Sequence, residues 1–119
     1  MTGEQAPASM EALKKTAVTV RRHIIHMISK AKAGHPGGSL SAADIITALY
    51  FRVMRVDPAN PGWDERDRFV LSKGHACPVW YAALAERGFY DKAHLDTLRQ
   101  IDSIGCQQCR TRRTDRVSC

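Results

Sequence analysis

What the 119-residue sequence lacks narrows it first. No apolar run approaches the ~20 residues that a membrane helix needs. The longest uncharged stretches with apolar content lie near Ile45–Phe51 and Gly74–Ala85. The opening MTGEQAPASMEALKK has no apolar core, so no secretory leader is expected and the chain reads as cytoplasmic. Cysteine is scarce in the body, where Cys77 stands alone, whereas Cys106, Cys109 and Cys119 crowd the end. A disulfide scaffold would spread its cysteines through the chain. A strong charge of one sign is also missing: residues 1–104 hold 14 basic and 11 acidic side chains, only half of the total +6. So weak an excess does not by itself assign a nucleic-acid partner. What remains, 44% apolar and 25% charged residues, is an ordinary globular balance sized for one domain.

Periodicity supplies the elements. Residues 1–8 are expected to be disordered. From Ser9, a candidate N-cap, apolar residues recur at Leu13, Ala17, Val20, Ile24, Met27, Ile28 and Ala31. Steps of three and four mark one face of an amphipathic helix, which Gly34 and Pro36 should stop. Ser41 with Asp44 resembles a capping box and predicts a second helix to about Met54, with Leu40, Ile45, Leu49 and Val53 as its buried stripe. Pro58, Pro61 and Gly62 make 57–64 a loop. Phe69-Val70-Leu71 reads as a short buried strand. Pro78 suits the first turn of a third helix that ends at Gly88, and Asp91 could cap a fourth through Ile101. A lone strand among four helices has nothing to pair with, so its neighbours are expected in sequence that this chain does not contain.

After Ile104 the pattern gives way to GCQQCRTRRTDRVSC. Cys106-x-x-Cys109 has zinc-knuckle spacing, but such a site needs a second pair of ligands, and only Cys119 follows. A basic arm for nucleic acid is the other functional reading, with no aromatic side chain interleaved for stacking. On either reading the chain would be a non-catalytic binding protein. The expectation adopted is an incidental C-terminus.

Two turns are where chemistry could sit. His23 and His26 share a helix surface with no further ligands in sight, and His94 reads as a surface residue. His35, in AGHPGG, and His75, in LSKGHA, each follow a glycine at the end of an expected element. Loops beyond buried strands are where α/β folds place ligands. An imidazole there can hydrogen-bond a phosphate or shuttle a proton. From the residues alone, satisfied turn histidines remain the alternative, and Lys73 reads equally as a phosphate neighbour or a solvated lysine.

The runs AKAGHPGGSLSAADIITALYFRVMRVDPANP and RDRFVLSKGHACPVWYAALAERGF resemble the start of a transketolase, closest to the separately encoded N-terminal subunit of many prokaryotes. The likeness covers residues 11–104, and ALYFRVMRVDPANP fits transketolase better than 1-deoxyxylulose-phosphate synthase. It implies an α/β fold: an incomplete piece of a three-layer α/β/α thiamine diphosphate-binding domain over 9–104, mostly helical as it stands, with 105–119 outside the family pattern. Transketolases move a two-carbon ketol unit between sugar phosphates with thiamine diphosphate and Mg2+ or Ca2+. By resemblance His35 lies beside the reacting carbon and binds substrate as a catalytic residue. His75, with Lys73 and Gly74, holds the cofactor diphosphate. Family members often carry a hydroxyl residue where this chain has Gly38. The metal-binding GDG…N motif has no counterpart here. Partners implied are the rest of the N-terminal domain, a C-terminal subunit or domain, and a homodimer-type assembly, so the chain alone is expected to be inactive.

Overall fold

The computed structural model describes residues 8–32, 35–73 and 76–97. Three α-helices pack against one another: α1 (Met10–Ala31), α2 (Pro36–Ala48) and α3 (Cys77–Arg87). A π-helical turn, Leu49–Val53, extends α2, and a 3₁₀ segment, Lys92–Thr97, follows α3. Among the described residues there is no strand, only an isolated bridge at Leu71.

Helix α1 follows the periodicity. Ser9 caps it, its hydroxyl accepting from the Ala12 amide at 3.2 Å and so satisfying one of the amides left open at a helix start. Leu13, Ala17, Val20, Ile24 and Met27 form the buried stripe. The helix ends at Lys32 in the left-handed region (φ 55°), two residues before Gly34. His23 and His26 do have partners. His23 Nε2 pairs with Glu86 of α3 at 3.0 Å, and His26 Nε2 with Asp96 of the 3₁₀ segment at 2.8 Å. Lys92 and Lys30 reach the same two carboxylates at 3.3 and 3.7 Å.

Helix α2 departs from expectation in start and phase. It begins at Pro36, not Ser41, with His35 as N-cap. Asp44 makes an ion pair with Arg21 of α1 at 3.0 Å rather than a capping box. Ser39, Ala43, Ile46 and Thr47 face inward, leaving Ile45 and Val53 each 64% exposed. The earlier start has a physical cause. Proline is preorganised for the first helical position, so Pro36 nucleates the helix one turn ahead of the serine.

Helix α3 carries the core. Every residue from Pro78 to Ala85 is buried, as a helix covered on all sides requires. Trp80 is the largest fully buried side chain. Its indole N–H donates to the Tyr50 hydroxyl at 2.7 Å, giving the ring's one polar atom its partner. Phe69 packs edge-on against Tyr50 with centroids 5.9 Å apart and lies 6.1 Å from Trp80. Segment 69–71 thus keeps a strand's alternation, Phe69 and Leu71 inward and Val70 outward, without a sheet. Gly88, at φ 104°, ends α3 in the left-handed conformation that a side chain would strain. The Asp91 carboxylate accepts from the Ala93 amide at 2.9 Å to open the 3₁₀ segment. The expected continuation to Ile101 lies outside the described residues.

A long loop leaves the π-turn and returns to the core through a closed neck. The Arg55 amide donates to Asp67 Oδ2 at 2.6 Å and the Arg55 guanidinium to Oδ1 at 3.1 Å. The Asp67 amide donates to the Arg55 carbonyl at 2.8 Å. Arg87 of α3 donates to the carbonyls of Tyr50 and Val56 at 3.0 and 3.4 Å, anchoring the loop's start.

Replacing Tyr50 by Phe orphans the buried Trp80 N–H and should cost about 1–3 kcal/mol, read as a lower urea midpoint with an unchanged slope. The Arg55 amide, then its guanidinium, hold the Asp67 carboxyl below its ordinary value. A carboxyl so depressed stabilises the neck above the unfolded pKa, about 4, and loses that effect as pH falls through the folded value. Amide exchange at Arg55 and Asp67 should therefore lose protection on acidification below about pH 4, before α3 does.

Candidate functional site

His35, Lys73 and Ala76, which flank the two glycine–histidine pairs, come together at the start of α2. His35 is exposed and extended (φ −119°, ψ 112°), and its side chain makes no capping hydrogen bond. With Pro36 at the first helical position, the helix opens through Gly37 and Gly38. Its first turn carries no acidic side chain, so nothing there offsets the positive end of the helix dipole.

The second turn docks against this one. A Cβ added at Gly38 would stand 3.4 Å from Lys73 Nζ, 3.5 Å from Lys73 Cε and 3.9 Å from Ala76 Cβ. Lys73 thus lies beside the first turn of α2, at a distance where a methyl at position 38 would make ordinary van der Waals contact. Next to it, the fully buried Ser39 hydroxyl donates to the Ala76 carbonyl at 3.3 Å. The Ala76 amide donates to the Lys73 carbonyl at 3.0 Å. Gly74 and His75 lie outside the described residues, while their flanks, Lys73 and Ala76, are held to α2.

The junction combines an ammonium, a helix N-terminus and an exposed imidazole. Backbone amides and dipole at a helix start favour anions, and Lys73 adds a full positive charge beside them. A phosphate or diphosphate matches that donor set. A metal does not find ligands here: among the described residues no group of three or more His, Cys, Asp or Glu side chains comes together. Cys106, Cys109 and Cys119 lie outside the described residues.

Of the expected site residues, the structure brings Lys73 against the turn that begins at His35. Sequence reasoning missed Ser39, whose only sign was a small polar residue in the position where α2 first turns inward.

A family model described as the transketolase thiamine diphosphate binding domain matches residues 12–112. A 6-deoxy-6-sulfo-D-fructose transketolase subunit of Clostridium sp. (strain MSTE9) is 48% identical over 102 residues, 86% of this chain and 37% of that protein. One of the subunits of the apulose-4-phosphate transketolase of Phocaeicola vulgatus is 43% identical over 95 residues, 80% of this chain and 34% of that protein. The chain therefore spans about a third of the length of these relatives. A crystal structure of transketolase from Campylobacter jejuni superposes with a TM-score of 0.72 at 38% identity, covering 81% of this chain and 15% of that one.

Ser39→Ala should cost about 1 kcal/mol and speed amide exchange at Ala76, while exchange at Ile24, in the middle of α1, stays tied to global unfolding. An unchanged Ala76 rate would mean that the hydroxyl does not hold the turns together.

Proposed function

Because the chain belongs to the transketolase family, within its thiamine diphosphate-binding domain, we propose that its two turns hold the cofactor diphosphate and meet the sugar substrate. The enzyme so formed transfers a two-carbon ketol unit between sugar phosphates. The observation that carries this reading is Lys73 lying over Gly38 in the first turn of α2. An ammonium, open helix amides and no acidic side chain in that turn suit a diphosphate.

When bound, thiamine diphosphate supplies the electron sink for breaking and making the carbon–carbon bond next to a carbonyl. The chain's own residues bind, orient and move protons. Lys73 neutralises phosphate charge. Gly74 lets the backbone approach closely, and His75 donates an imidazole N–H to a diphosphate oxygen. His35, exposed where α2 begins, binds substrate hydroxyls and exchanges a proton with them, as an imidazole can near neutral pH. Mg2+ or Ca2+ would accompany the diphosphate, its ligands coming from outside the described residues.

The relatives in Clostridium and Phocaeicola are named as subunits. That supports a partner subunit that completes the site; a homodimer-type assembly and a cytoplasmic location belong to the proposal. Within that assembly, Phe69–Leu71 becomes a strand of a three-layer α/β/α domain over 9–104, although the family match itself runs on to residue 112. The 119-residue chain on its own turns over no sugar phosphate.

In the assembled enzyme His75→Ala should weaken thiamine diphosphate binding about tenfold or more, the loss expected for a hydrogen bond to a charged group. His35→Ala should lower kcat about 100-fold with cofactor affinity nearly unchanged. Calorimetric titration with the cofactor and Mg2+, beside a coupled ketol-transfer assay, reads both. Equal cofactor affinity after the His75 change would overturn its assignment, and turnover by the isolated chain would overturn the need for a partner.

A further inference from the structure

Helix α1 carries a second stripe besides the one it buries. Lys15, Val18, Arg22, Ile25 and Ser29 are all exposed, and they follow one another at steps of three, four, three and four. That is the spacing of a helical seam, and here it sets basic and apolar side chains alternately along one face. Val18 and Ile25 are 49% and 50% exposed. With Arg21, Arg22, His26 and Ser29 they line an open, mainly apolar groove of about 560 Å³. Apolar patches rimmed by polar residues mark interaction sites.

Charge identifies what fits there. Helix α1 holds five basic side chains and one acidic, Glu11. Glu11 reaches Lys14 at 4.0 Å, and Arg21 is committed to Asp44 of α2 at 3.0 Å. Lys15 and Arg22, on the stripe itself, meet no carboxylate among the described residues. A second copy laid on this face along its own would set like charges against each other, which costs affinity. Two β-branched side chains are also too little apolar surface for a membrane face, which sinks larger residues such as Trp, Phe and Leu below the headgroups. A nucleic acid would use the cations and leave Val18 and Ile25 without an apolar partner.

We propose that this face of α1 docks an acidic amphipathic helix of another protein chain. Apolar side chains of that helix sit against Val18 and Ile25, and its carboxylates face Lys15 and Arg22. Both halves of the stripe are then used. The apolar pair, two turns apart, matches the anchors of a helix lying along a groove, and the unpaired cations choose a partner of opposite sign. The docking is independent of the ketol-transfer reading, since it needs neither cofactor nor sugar.

Two synthetic fluorescein-labelled peptides of about three heptads serve as probes. Both carry leucine at the seam positions a and d, and one has glutamate at the flanking e and g where the other has lysine. Anisotropy titration of the full chain should show saturable binding of the acidic peptide, with the basic one at least about tenfold weaker. Ile25→Ser should weaken the acidic peptide about tenfold, as loss of an apolar anchor does. Arg22→Glu should weaken the acidic peptide by about the same factor and strengthen the basic one. Arg68→Glu, the same change of charge at an exposed arginine after the neck, should leave both affinities unchanged. Ile45→Ser, at an exposed apolar residue of α2, should do so as well. Circular dichroism reads the fold of each variant, and should Ile25→Ser unfold, the contrast between Arg22→Glu and Arg68→Glu decides. Equal binding of the two peptides, or equal effects of those two arginine changes, would overturn the proposal. So would self-association of the chain that Arg22→Glu abolishes, which would assign the face to a second copy. Tighter binding of phosphatidylglycerol vesicles or of an RNA duplex that Arg22→Glu abolishes would overturn it too, in favour of a membrane or a nucleic acid.

Discussion

A helix buried on all its faces through its middle must be walled on every side, and α3 imposes that condition on everything around it. From Pro78 to Ala85 no residue faces water. The alanines at 82, 83 and 85 keep its girth small, which lets neighbouring backbones come close. Trp80 and Leu84 fill the remaining space. Helices α1 and α2 form two walls, and the aromatic contacts of Tyr50, Phe69 and Phe89 supply the rest. Because Trp80 brings one N–H into this core, the Tyr50 hydroxyl must sit opposite it. That requirement fixes the π-turn at the end of α2.

The site inherits its geometry from the same wall. Helix α3 begins right after Ala76, and α2 right after His35. Packing α2 against α3 therefore sets Lys73 and Ala76 beside the first turn of α2. Ser39 completes the fit through its hydrogen bond to the Ala76 carbonyl, and Lys73 lies next to Gly38.

Sequence reasoning succeeded where burial follows a simple period. The stripe of α1 and the stop of α3 at Gly88 were legible, because apolar spacing and glycine punctuation coincide with the physical causes. Helix α2 was misread because two of its four inward residues, Ser39 and Thr47, are polar, while Ile45 points outward. A hydrophobic template puts Ile45 and Val53 inside beside Leu40 and Leu49, and only the latter two pack against the core. Ser39 is inside because a carbonyl awaits it. Thr47 is inside with its hydroxyl unpartnered among the described residues. The pairing of His23 with Glu86 and His26 with Asp96 was invisible, since it joins residues 63 and 70 positions apart. The alternation at Phe69–Leu71 was read correctly and its strand was not, because a period of two reports which way side chains face and not whether a neighbour is present.

The closed neck between Arg55 and Asp67 separates the loop tip from the body. Three hydrogen bonds fix the entry and exit of the chain at one spot, so strain introduced at the tip is discharged there before it reaches Tyr50 or Phe69. Around Pro61 and Gly62 the loop is therefore a natural graft point. Its length and composition can drift between relatives, or be changed to carry a label, without the aromatic core registering the difference.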